Sequence, residues 1–168
     1  MDLSSWFTTQ LNEGAEGFIW AVEQVPPDRR WLAPPKLLGE WNAARHVFHM
    51  LYYEQNAVVP CMTIWLGQPA AINETDFDED SAWGEGQDLQ SMFTEFRRVR
   101  AAQLELLPNF NEQLWHEARP TPFWGDVTLL WLVSKTFQHT AEHTHDVMRM
   151  ALFWDAYARH EQEHKEKE

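Results

Sequence analysis

Leu129-Leu130-Trp131-Leu132-Val133-Ser134-Lys135-Thr136-Phe137-Gln138-His139-Thr140-Ala141-Glu142-His143 opens the longest apolar stripe of this chain. At about 100° per residue, Leu129, Leu132, Thr136, His139, His143, Val147, Met150 and Trp154 share one face. That spacing predicts a helix from near Asp126 that continues past Tyr157. The stripe is interrupted where it should bury apolar groups. His139 and His143 lie about 40° apart and about 6 Å along the axis, so both imidazoles project from one face. Two such rings can chelate a metal ion without bending the backbone, because the helix fixes their separation.

Three further segments carry the same period. The first spans 3–24, with Trp6, Phe7, Leu11, Phe18, Ile19 and Val22 on one side, Asp2 or Ser4 as cap, and Pro26-Pro27 as stop. The second runs from 38 to 59 through Leu38, Trp41, Phe48, Tyr52 and Val59, and Pro60 should end or kink it. The third spans 88–107, through Leu89, Phe93, Phe96, Val99, Gln103 and Leu106. No segment alternates as a strand would. The expectation is an all-α, antiparallel four-helix bundle in a single domain over 1–168. Residues 67–88 form an acidic loop insertion in it, including Asn73, Glu74, Asp76, Asp78, Glu79 and Asp80, and 158–168 form a polar, frayed tail.

Composition excludes several classes. A formal net charge of −13, with Lys and Arg scattered, argues against nucleic acid. The densest basic run, Arg97-Arg98-Val99-Arg100, reads as a solvated helix face. No stretch approaches the roughly 20 apolar residues of a membrane span, and the opening residues lack the basic and apolar parts of a signal peptide. Cys61 stands alone, so no internal disulfide can form; a buried thiol in a cytoplasmic protein is expected. Ten tryptophans and ten phenylalanines supply the core.

A third histidine, His49, sits midway along the second helix beside Phe48 and Tyr52. Three neutral imidazoles would leave the coordination sphere of a divalent ion incomplete, which is the pattern of catalytic rather than structural sites. Other apparent motifs fall away. His160-Glu161-Gln162-Glu163-His164 spells H-E-x-x-H, but in a charged terminal run with nothing apolar around it. Asp76-x-Asp78-x-Asp80 lacks the glycine and the closing glutamate of a calcium loop. A di-iron bundle needs E-x-x-H on two helices, and only Glu161-x-x-His164 fits.

The stretch from Glu40-Trp41-Asn42 through His49 to Glu54 resembles the second helix of the DinB/YfiT-like superfamily. There an aromatic residue opens the helix, and a metal-binding histidine precedes a glutamate by five positions. Thr128 through His143 resembles that family's last helix, with its H-x-x-x-H pair, and Val25-Pro26-Pro27-Asp28 resembles its proline-bearing turn. The resemblance covers nearly the whole chain and implies a metal site on His49, His139 and His143. The glutamate spacing favours His49 over His46, which could otherwise be a ligand or an outer partner. It also implies a homodimer, and a metal-dependent enzyme acting on a small molecule. The reaction would be transfer of a low-molecular-weight thiol or hydrolysis. Zinc or nickel is the expected ion, with iron or copper also suited to imidazole. Arg45, Tyr53 and Asp146 are the candidates for substrate-orienting or acid–base roles, each with ordinary packing or ion pairing as the alternative. Glu54 should pair with another helix, and Glu142 lies off the stripe. The competing function is a metal- or ligand-binding, stress-related protein without turnover.

Overall fold

The computed structural model describes residues 2–70, 77–84 and 87–165. Asn73, Glu74 and Asp76 of the acidic stretch lie outside them. Helix α1 spans Leu3–Gln24, where the Asp2 carboxylate accepts from Ser5 N at 2.8 Å, and it ends at Val25 before Pro26. Its buried residues Phe7, Leu11, Ala15, Phe18, Ile19 and Val22 keep the helical period. The link that follows closes on itself, Arg30 donating to Val25 O and Glu23 O, both at 2.8 Å. A short 3-10 turn, Lys36–Leu38, ends at Gly39, whose φ of 118° suits glycine.

Asn42 opens α2 (Ala43–Tyr53), accepting from Arg45 N at 2.8 Å while its amide donates to Trp31 O at 3.0 Å. Replacing Asn42 by alanine should remove both contacts and cost about 1 kcal/mol in urea unfolding, with the helix still formed. Pro60 does not end this segment. The backbone widens into a π turn over Glu54–Val58 and re-forms as α3 (Val59–Met62). A proline ring collides with the carbonyl four residues before it, and the wider turn moves that carbonyl aside. A 3-10 turn, Thr63–Leu66, then stops at Gly67, with φ 79°.

Within 67–88 the structure has order: α4 (Glu79–Ala82) is capped by Asp78, which accepts from Ser81 N at 3.1 Å. Helix α5 spans Leu89–Leu106, and α6 spans Glu112–His116. The all-α expectation needs one correction. Strands β1 (Ala118–Thr121) and β2 (Gly125–Thr128) pair antiparallel, Ala118 opposite Thr128 and Thr121 opposite Gly125. They escaped the periodicity because each has four residues and Pro120 sits in one of them; the turn's own polar contacts, such as Thr121 Oγ1 to Gly125 O at 3.1 Å, stabilise the pair. Because residues 125–128 are strand, α7 begins at Leu129 rather than Asp126, and it runs to Lys165.

Helix α1 packs on α7 and α5, and α2 packs on α5 and α7. The core forms two apolar clusters. Along α1 the change from one to the other falls between Leu11 and Ala15; from α5 into the turn after it, between Val99 and Leu107; and on α7 between Val133 and Val147. The interval on α7 holds Thr136, His139, Thr140 and His143. Beside it, buried Arg100 on α5 pairs with buried Glu54 at the end of α2 and donates to Thr140 Oγ1 at 3.0 Å. A polar layer therefore divides the core, and the histidines belong to it. Arg100 departs from the solvated-face expectation, whereas Arg97 and Arg98 are exposed and pair with Glu16 and Glu95.

Candidate metal centre

The one-turn spacing on α7 brings His139 Nε2 and His143 Nε2 to 3.0 Å, and α2 delivers His49 Nε2 to 3.1 Å from His139 Nε2. The three rings are partly buried, and their ligand atoms all lie within 4.8 Å of one another.

Each outer nitrogen shows what its inner partner can do. His49 Nδ1 is 2.7 Å from Glu79 Oε2, so the ring donates there and keeps its Nε2 lone pair inward. His143 Nδ1 is 2.7 Å from His46 Nδ1; when His143 donates, its Nε2 also faces inward as a lone pair. His139 Nε2 has at most one proton for two neighbours, and its Nδ1 is buried without a partner among the described residues. Lone pairs thus converge with too few protons between them. A tetrahedral ion bound at about 2.05 Å would set such nitrogens about 3.3 Å apart. The donor set fits a divalent ion after a shift of a few tenths of an ångström.

Electrostatics point the same way. Burial, then the His143 and His49 rings, holds His46 down to about 3. Burial, then His143, His49 and Lys135, holds His139 down to about 3. Burial and His49 hold His143 down to about 4, against an opposing pull from Glu79. At neutral pH these imidazoles are neutral, the form that ligates a metal.

The Trp41 indole covers the centre. Its ring lies parallel to His143 at 6.1 Å and sits 4.8 Å from His49 and 5.5 Å from His46. Clefts open on both sides of it. One of about 420 Å³ reaches His46, His143, Asp146 and Arg149; the other, about 330 Å³, reaches Arg45, Phe77 and Glu79. A larger open groove of about 570 Å³, beside Phe110 and Trp115, touches none of the histidines.

The remaining candidates separate. Tyr53 lies against His139 with ring centres 4.4 Å apart, and its buried hydroxyl has no partner among the described residues. Burial, then Glu54 and Cys61, pushes its pKa up, so it stays protonated. Arg45 turns to carboxylates, 2.9 Å from Glu79 and 2.7 Å from Asp80. Asp146 groups with His46 and His143, yet its carboxylate is 4.0 Å from Arg149 and 3.8 Å from His145, which works against a second cation there. Glu142 pairs away from the site with Gln138 at 2.8 Å. Cys61 is buried, its thiol pushed up to about 12 by that burial. His160 and His164 are exposed on the last turns of α7.

Glu79, and the covering role of Trp41, were not anticipated from the sequence. Glu79 had only its place behind the Asp78 cap as a signal, within an acidic run whose fold periodicity does not reveal.

No curated protein matches the chain closely enough to count as a relative. The model of the DinB superfamily matches residues 10–147, a span that takes in all three histidines and most of both apolar clusters. This chain belongs to the DinB superfamily.

Proposed function

We propose that the chain holds one divalent metal ion, zinc or nickel, on Nε2 of His49, His139 and His143, and that it is a metal-dependent enzyme acting on a small molecule. The reading includes the antiparallel four-helix arrangement of its long helices. It also includes a cytoplasmic homodimer, supported by the exposed indoles of Trp6, Trp20, Trp31 and Trp131. The observation that supports the metal site is the convergence of three Nε2 atoms, 3.0 and 3.1 Å apart, from two helices.

A divalent ion bound by three neutral imidazoles supplies Lewis acidity, which lowers the pKa of a thiol or a water toward neutrality. Thiol transfer and hydrolysis are the two reactions this allows, and thiol transfer leads. The protein's own part is positioning. His49 and His143 are held by Glu79 and His46, Trp41 excludes bulk water from one side, and protonated Tyr53 can donate a hydrogen bond to a molecule beside His139. The competing reading is metal or ligand binding without turnover, and the cover that Trp41 places over two of the three rings favours it.

Metal analysis by mass spectrometry on protein freed of any tag should find about one zinc or nickel ion per chain. In His139→Ala the ion should be lost, with a drop in affinity larger than the ~10–100-fold that loss of an outer partner causes. Helical circular dichroism should persist. Parent protein without an ion after growth in zinc and nickel would sink the metal site. A metal-loaded parent inactive toward thiol–electrophile pairs and toward ester and amide hydrolysis would favour the binding reading.

A further inference from the structure

Glu79 stands out among the groups around the histidines. It comes from α4, in the acidic segment, where it stands in the helix's first turn. Its side chain is only 12 % exposed, with Oε2 2.7 Å from His49 Nδ1 and Oε1 2.9 Å from Arg45. Arg45 is itself fixed. Its guanidinium lies over the rings of Trp41, Phe48 and Trp83, at 5.2–5.3 Å; its contact with Asp80 at 2.7 Å is to a side chain 97 % exposed and adds little to that hold. The segment is further anchored by Phe77 against Tyr52, ring centres 4.9 Å apart, and by Asp78 N donating to the Tyr52 hydroxyl at 3.2 Å. Trp83 packs on Phe48 at 5.2 Å and stacks on Trp31 at 6.0 Å.

We propose that Glu79 is a positioning residue of the metal centre: it holds the tautomer and orientation of His49, and so couples metal occupancy to the seating of α4. This rests on the metal reading given above. A carboxylate across an imidazole makes the far nitrogen a stronger donor and fixes which nitrogen carries the proton. Three neutral ligands leave the full charge of a divalent ion uncompensated, and among the described residues Glu79 is the carboxylate in direct contact with a ligand ring. Metal binding at Nε2 makes the Nδ1 proton more acidic, which tightens the bond to Glu79. The coupling is reciprocal: a seated α4 raises metal affinity, and bound metal holds α4 in place by the same factor.

The test compares zinc affinity, by competition with a chromophoric chelator, in the parent, Glu79→Gln, Asp80→Asn and His49→Ala. Glu79→Gln keeps the shape of the side chain and removes its charge, and should bind zinc about 10–100-fold more weakly. Asp80→Asn removes the same charge one residue away, on a side chain 97 % exposed, and should change affinity by less than about threefold. Hydrogen exchange supplies a readout that a merely structural role would not move. Zinc should slow exchange of the peptide covering 77–84 in the parent and not in Glu79→Gln. Parent-like affinity and zinc protection in Glu79→Gln, with binding lost in His49→Ala, would overturn the role of Glu79 and leave the metal site standing. A parent that binds no zinc would overturn both.

Discussion

Metal-free protein should unfold on acidification between about pH 6 and pH 4, a transition that begins well above the range in which its carboxylates titrate. The cause is the burial of neutral imidazoles. His46 and His139 are held down to about 3, and His143 to about 4, from an ordinary value of 6.5. The unfolded chain takes up a proton on each of these rings as pH falls through 6.5, while the folded chain takes up none until near 4. Unfolded protein binding more protons means stability rises with pH across that window and falls on acidification. It is fully present above the unfolded value. Three protons correspond to a slope of up to about 4 kcal/mol per pH unit, and to roughly 6 kcal/mol lost by pH 5. That is comparable with the whole stability of an ordinary domain, about 5–15 kcal/mol. Urea midpoints at a series of pH values measure the slope directly. His46→Phe should lower it by about one proton. A slope below one proton for the parent would mean that the rings are not buried as neutral groups. Metal that occupies the site should shift the acid transition to lower pH, because the folded state then gains a ligand that protons must displace.

The same burial explains what was legible before the structure. On α7 the stripe Leu129, Leu132, Thr136, His139, His143, Val147 identified the helix, and it marked the two imidazoles as inward-facing, because side-chain direction on a helix follows from spacing alone. Helices α1 and α5 were readable to within a residue for the same reason. His49 was harder. Its helix face also carries His46, and both lie near the site; the glutamate five positions on, shared with the family pattern, separated them. The two rings do differ, His49 Nε2 facing His139 while His46 meets the outer nitrogen of His143.

What could not be read has a common cause. The hairpin at 118–128, the π turn before Pro60 and the seating of α4 are set by non-periodic contacts, and they leave no repeating signature. Glu79 looked like one acid among several in an unstructured run. Its role depends on Tyr52, Arg45 and Trp83 holding a four-residue helix against α2, and those contacts link residues about 25–40 positions apart. The helical period places Trp41 on the inward face of the second helix. It sits instead in the turn before Asn42, where its ring lies over His49 and His143.

Replacing Glu54 by alanine should destabilise the fold by about 3–5 kcal/mol, the largest expected loss from a single substitution in this chain. Glu54 is fully buried and Arg100 is 2 % exposed. Arg100 Nε donates to Glu54 Oε2 at 2.9 Å, and its two terminal nitrogens reach Glu54 Oε1, Leu11 O and Thr140 Oγ1. Without Glu54 the guanidinium would stay enclosed with no counter-charge, and desolvation would no longer be offset. Removing both charges is a different experiment. Glu54→Leu with Arg100→Met should recover most of the loss, because a buried ion pair is often no more stabilising than well-packed apolar groups of similar size. The pair then has to be explained by what else it does. It joins one residue from each long segment: Leu11 on α1, Glu54 at the end of α2, Arg100 on α5 and Thr140 on α7. His139 precedes Thr140 directly, and His49 lies five residues before Glu54. A polar cross-link at this level fixes the height of α2 against α7, which is the dimension that sets the 3.1 Å approach of His49 to His139. The double variant should therefore regain stability in urea and still bind zinc more weakly than the parent. Parent-like zinc affinity in that variant would show that the ion pair serves folding alone, and that apolar packing suffices to hold the histidines in register.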